Sequence, residues 1–185
     1  MAKLARALFA SAMMLPLGLI ASPAGAATGP SCKTLSGTAK LSPALPGLEK
    51  VLEAKPTVTI KGARLGGCSG GVTSGTLSAT LKFGQPTNCL DFTLPGGVSA
   101  AKIKGTATVV WNTKATSTLT LSIANGPTIK GHTQPPNTIS IPGTVTAGQF
   151  KGSKVSGTFT QDQPCLLGHP TVSSFTFKQL SKIAL

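Results

Sequence analysis

The chain predicts an all-β fold, an antiparallel β-sandwich or flattened barrel of about eight strands. Three observations carry that expectation. Apolar and polar residues alternate with period two through most of the chain, whereas helical spacing is almost absent. The alternating runs are rich in Thr and Val, which suit a pleated, half-buried surface. The stretches between them hold Gly, Pro and Asn, the residues of turns.

In chain order, the first segment is a targeting signal. Lys3 and Arg6 form a positive start, and residues 7–20 are apolar apart from Ser11. Ala24-Gly25-Ala26, or Gly25-Ala26-Ala27 one step later, is a small-x-small cleavage site. Residues 1–27 are therefore expected to be a cleaved signal peptide and residues 28–185 a single all-β domain. The apolar run falls short of the roughly 20 residues that span a bilayer, and it contains Pro16 and Gly18. No second apolar run follows, so no transmembrane segment is expected. Cys32 follows Gly29-Pro30-Ser31, which is no lipobox. The predicted location is secreted, extracellular or loosely cell-wall associated.

The strands follow. Residues 35–41 and 57–65 are the first two candidates. Leu77, Ala79, Leu81 and Phe83 then alternate against Thr76, Ser78, Thr80 and Lys82. Ile103, Gly105, Ala107, Val109 and Trp111 alternate against Lys102, Lys104, Thr106 and Thr108. Leu119, Leu121 and Ile123 alternate against Thr118, Thr120 and Ser122, and residues 138–146, 154–160 and 172–178 complete the set. One-sided patterns of this kind belong to antiparallel sheets with one wet face. Asn112-Thr113-Lys114 reads as a hairpin turn, residues 124–137 as the longest polar loop, and residues 45–54 as the one place for a helical turn. A Gly-Thr pair recurs at Gly37, Gly75, Gly105, Gly143 and Gly157 with irregular gaps, which argues for bulges or bends rather than a solenoid.

All four cysteines, Cys32, Cys68, Cys89 and Cys165, lie in the exported part, which predicts two disulfides. If residues 35–41 pair antiparallel with 57–65, Cys32 faces Cys68. Cys68 and Cys89 flank opposite ends of the 76–83 strand, too far apart to bond. The expected pairs are Cys32–Cys68 and Cys89–Cys165.

Removing Lys3 and Arg6 leaves 15 basic side chains against four acidic ones, a net charge of +11. Such a field draws a protein towards anionic envelope polymers or lipid headgroups. Specific nucleic-acid recognition is not expected: it prefers arginine forks and stacking aromatics, and the exported part has one Arg, Arg64, and no Tyr.

Several of these features together resemble a family of small secreted proteins of uncharacterised function in actinobacteria. They are the early Cys32, Ser42-Pro43, Pro56-Thr57-Val58-Thr59-Ile60 leading to Gly67-Cys68, Cys89, Val110-Trp111-Asn112, the run from Gly143 to Gly152 and Cys165. The resemblance covers nearly the whole exported chain and implies export, disulfides and fold. It transfers no catalytic motif.

Candidate chemistry is sparse. Gly67-Cys68-Ser69-Gly70-Gly71 fits the Gly-x-Ser-x-Gly pattern of hydrolase elbows. That motif needs a parallel strand and a helix, which the pattern around it lacks, so a glycine-rich turn held by Cys68 is the expectation. Ser69 with His132 or His169 and Asp91 or Asp162 would be the composition of a triad. Glu49 and Glu53 are the closest pair of carboxylates, and they read as a solvated face. With so few acids and histidines, acid–base catalysis lacks candidates, and neither a catalytic group, a cofactor nor a metal is predicted. Trp111 continues an inward alternation and reads as core. The 124–137 loop, with Lys130, His132 and Gln134, is the candidate interaction site.

The chain is thus expected to be a non-enzymatic exported protein that associates with the envelope or an anionic ligand through lysines and loops. One alternative is a carrier that encloses a small apolar ligand in a barrel, with space beside Ala79, Gly105 and Ala107; a secreted hydrolase is the third. The residues leave the oligomeric state open.

Overall fold

The computed structural model describes residues 29–47, 53–89, 101–125, 138–161 and 171–185. The strands are β1 (Ser31–Cys32), β2 (Thr34–Pro46), β3 (Thr57–Gly66), β4 (Ser74–Lys82), β5 (Lys104–Trp111) and β6 (Thr116–Ser122). They are followed by β7 (Ala124–Asn125), β8 (Thr138–Ser140), β9 (Gly143–Gly148), β10 (Lys154–Gln161) and β11 (Thr171–Ala184). All pairings are antiparallel and belong to a single sheet.

The eleven segments behave as eight strands, because three pairs of them are single strands interrupted once. β1 and β2 both pair with β11, with a break at Lys33. Ala124 opposite Ser140 (β7 and β8) continues the register of Leu121 opposite Gly143 (β6 and β9). Pro142 lies at that break. It has no N–H to offer, and its carbonyl accepts from the Ser122 N–H at 2.9 Å.

The order of neighbours decides between the two expected architectures. β11, β2, β3, β4, β5, β6, β9 and β10 lie side by side, and β10 then pairs with β11. One strongly curled sheet therefore returns on itself, as in a barrel, rather than stacking two sheets. Extra residues in one strand of a pair supply the bending. β3 carries one more residue than both β2 and β4 around Gly62, whose φ of 66° is the left-handed conformation of a bulge. β9 bulges near Thr146 against β6, and β11 carries extra residues against β10.

Alternation then assigns the two faces. On β4, Gly75, Leu77, Ala79 and Leu81 are buried, while Thr76, Ser78, Thr80 and Lys82 are exposed. β5 and β6 repeat the pattern, burying Ala107, Val109, Trp111, Ser117, Leu119 and Leu121. The outward face is Thr, Ser and Lys, and Val110 is the exposed large hydrophobic among the described residues. A membrane-spanning barrel needs the opposite, an apolar band outside. No described helix is long and apolar enough to cross a membrane.

Two expectations need correction. Leu45 and Pro46, placed in a helical turn, belong to β2, opposite Val172 and Thr171; residues 48–52 of that turn lie outside the described residues. Gly75 and Gly105 mark no bulge, since both sit in the uninterrupted β4–β5 ladder. They allow close approach instead. A Cβ at Gly75 would lie 2.9 Å from Cε3 of Trp111, and one at Gly105 would lie 2.7 Å from the Leu81 Cα and closer still to the Thr80 carbonyl.

Candidate functional site

The two ends of the curled sheet differ. At one end the connections are short: residues 67–73 between β3 and β4, 112–115 between β5 and β6, and 149–153 between β9 and β10. At the other end leave the four long connections: 47–56, 83–103, 126–137 and 162–170.

The short-loop end is tied together. Cys32 and Cys68 form a disulfide, with Cα atoms 3.9 Å apart. It forms because Leu35 sits opposite Leu65, which brings the start of β2 beside the end of β3. Beside it, the Ser69 N–H donates to the Ser31 carbonyl at 2.9 Å, and the Leu185 N–H donates to Pro30 at 2.8 Å. The β5–β6 turn is a hairpin in which Lys114 takes φ 68° and Asn112 accepts the Thr73 N–H at 3.0 Å on its Oδ1. Trp111, 1% exposed, stands above Gly75 and meets Phe150 edge-to-face at 5.7 Å. Its Nε1–H donates to the Ser117 Oγ at 2.9 Å, and Ser117 in turn donates to the Gln149 carbonyl at 2.6 Å. The indole N–H and the Ser117 hydroxyl each have a partner, which holds the indole in one orientation; the side-chain Oε1 of Gln149, buried beside them, has none.

Between the ends lies a cavity of about 80 Å³. Leu, Val, Ile, Ala, Phe and Gly residues line it, without a polar or charged side chain. The wall draws on every strand of the ring, β8 and β9 being counted as one. Room for about five water-sized spheres fits such a volume, yet a water there would find no hydrogen-bonding side chain. Leaving it unfilled costs roughly 2 kcal/mol at about 24 cal/mol per Å³. Ala79 lines it as the sequence reading anticipated; Gly105 and Ala107 do not, because Gly105 faces the backbone of β4. Phe83, Phe175 and Phe177 form wall rather than filling, and Trp111 stands apart at the short-loop end.

At the long-loop end the wall reaches the rim. Leu45 near the end of β2, Phe83 just after β4, Ile103 just before β5 and Ile123 just after β6 all line the cavity. Two of the long connections are joined there: Ala54 and Thr87 exchange N–H to carbonyl bonds of 2.8 Å each way. Lys82 and Lys104, the last residues of β4 and β5 at this rim, sit directly opposite one another and are exposed.

The other sequence candidates are placed as follows. Ser69 lies in the exposed, glycine-rich β3–β4 turn, and its Oγ is 3.3 Å from the Ser31 carbonyl, an acceptor that activates nothing. Asp91, Lys130, His132, Gln134, Asp162, Cys165 and His169 lie outside the described residues; so do Glu49 and residues 1–27, expected to be a signal peptide. The connections that carry those candidates all leave from the end opposite Ser69. Cys89 is fully buried, and no described cysteine is a free thiol. Among the described residues no group of three or more His, Cys, Asp or Glu could hold a metal. The cavity itself was only half legible, because alternation marks a wall and not whether the wall meets in the middle.

No family model matches the chain, and no curated protein or solved structure matches it either.

Proposed function

We propose that this chain is an exported binding protein that holds a small apolar molecule inside its curled sheet. One observation carries the reading: an apolar cavity of about 80 Å³, walled by every strand and reaching the rim from which the long connections leave. An eight-stranded ring is wide enough either to be filled by its own side chains or to hold one small ligand. Here small and medium aliphatic residues leave space, and that space costs stability unless something occupies it.

The second disulfide belongs to the proposal. The connections holding Cys89 and Cys165 leave from the same end, after β4 and after β10, which lie on opposite sides of the ring. A Cys89–Cys165 bond would join them across the mouth.

The test is ligand-dependent thermal stability of the secreted, oxidised chain with 1-butanol as probe, an apolar chain of about the size the cavity admits. A bound occupant at a hundredfold excess over its Kd adds about 2.7 kcal/mol, which raises Tm by roughly 5–10 °C for a domain of this size. No shift with butanol, or with other small straight and branched alcohols, contradicts the proposal.

A second reading, association with anionic envelope polymers, draws on the lysine excess. Exposed Lys40, Lys61, Lys82 and Lys104 lie on the neighbouring strands β2 to β5, and Lys154 on β10, so attraction would come from one broad side of the ring and be salt-sensitive. Cell-bound protein that stays bound when salt is raised contradicts it.

A further inference from the structure

We propose that the outward face of β2, β3, β4 and β5 binds a linear phosphate polymer, held by Lys40, Lys61, Lys82 and Lys104 around a rank of threonine hydroxyls. This rests on the second reading above, association with anionic polymers, and adds the face and the chemistry of the partner.

The first ground is where the register puts the charges. Lys40 stands opposite Thr59, Thr59 opposite Thr80, and Thr80 opposite Thr106, so one rank crosses four neighbouring strands. Neighbouring strands lie about 4.8 Å apart. Lys82 and Lys104 flank that rank on one side, two residues along β4 and β5, and Lys61 flanks it on the other, two residues along β3. All four lysines are exposed. Lys82 and Lys104 are themselves directly opposed, an arrangement of like charges that destabilises a sheet. None of the strands contains an acidic residue. No strand therefore offsets this repulsion, and a polyanion laid over the face does.

The second ground is what the face lacks. The aromatic residue of these four strands is Trp111, which is buried on the inward side. A base or a sugar ring presents an apolar face that an aromatic side chain receives, and here none is offered. Val110 is the exposed large hydrophobic among the described residues, so the face has little to bury in a bilayer, where apolar area adds to charge. A curled sheet also meets a flat membrane along few strands, whereas a flexible chain follows the curve. Phosphates in series suit what is present. Their oxygens accept from ammonium and hydroxyl groups alike, and lysine serves phosphate as a point charge without a fork.

The experiment titrates the full oxidised protein with long-chain inorganic polyphosphate over a range of salt, beside alginate and phosphatidylglycerol vesicles. The variants are Lys82→Gln/Lys104→Gln and Lys40→Gln/Lys61→Gln on the face, and Lys114→Gln/Lys151→Gln in the turns of the short-loop end. Polyphosphate is expected to bind the parent tightest. Each face pair removed should weaken it roughly fivefold, as the loss of two exposed ion pairs does. It should also flatten the slope of log K against log salt by about 1.4, at the roughly 0.7 per contact of a single-stranded polyanion. The turn pair, equal in charge, should stay near the parent, and neither face variant should lower Tm. A turn pair that weakens binding as much as a face pair overturns the face. Alginate or vesicles bound more tightly than polyphosphate overturn the choice of partner. In both cases the association reading stands; no binding to any of the three at low salt overturns both.

Discussion

At the scale of single residues, two kinds of glycine do different work in this sheet. Gly62 takes a left-handed φ of 66° with nothing within 4 Å of its missing Cβ, so it serves backbone conformation alone. Gly105 has an ordinary strand conformation, but its missing Cβ points into the β4 backbone. Gly62→Ala should therefore cost about 1–2 kcal/mol, the price of the left-handed conformation. Gly105→Ala should cost more, because backbone must move and about 1–3 kcal/mol of overpacking adds to the loss of ladder geometry. Urea unfolding of both variants checks this; a Gly105→Ala variant as stable as Gly62→Ala contradicts it. The recurrence of Gly-Thr pairs marks Gly105 but passes over Gly62, which precedes Ala63, and it could not say which need a glycine meets. Bulge and close approach look alike until the register is known. Trp111 was legible as core from its parity with Val109, whereas its partners Ser117 and Gln149 were not, since the bond joins three separate segments.

At the scale of elements, strands were the most legible feature, because burial on one side imposes period two on every one of them. Their ends were less so: β2 runs on through Leu45 and Pro46, where the spacing of Leu48, Val51 and Leu52 suggested a helical turn. The break at Pro142 divides one expected strand into β8 and β9 without changing its register. Local pairing also explains why Cys32–Cys68 could be anticipated, as neighbouring strands of a hairpin bring their outer ends together. That bond closes a segment of 36 residues and ties the short-loop end. Cys32→Ser/Cys68→Ser should lose roughly 3–4 kcal/mol on the chain-entropy account, measured by urea unfolding against the oxidised parent. A loss below 1 kcal/mol would mean that the strap adds little to what β2 and β3 already hold. Non-reduced peptide mapping should recover Cys32–Cys68 and, by our proposal, Cys89–Cys165.

At the scale of the whole molecule, alternation says that each strand has a wet and a dry face, but a sandwich and a closed ring share that pattern. The deciding contact is β10 with β11, and the ring is completed where β11 meets β2, the first long strand, far away in the chain. No local signal marks it. The cavity is harder still to foresee, being a deficit of volume summed over many side chains rather than a property of any one. The candidate residues picked from sequence, Lys130, His132 and Gln134, were chosen for loop chemistry and lie in one of the four connections at the rim. Lys82 and Lys104 read there as ordinary outward residues, and only the register makes them neighbours.

The account depends on an accessible apolar space within the ring, and a crystal of the oxidised protein under xenon pressure tests it most directly. Xenon enters dry cavities lined by aliphatic side chains, so density is expected between Ala79, Leu121 and Phe177. A lumen packed solid by those side chains, with no xenon inside, would contradict the account.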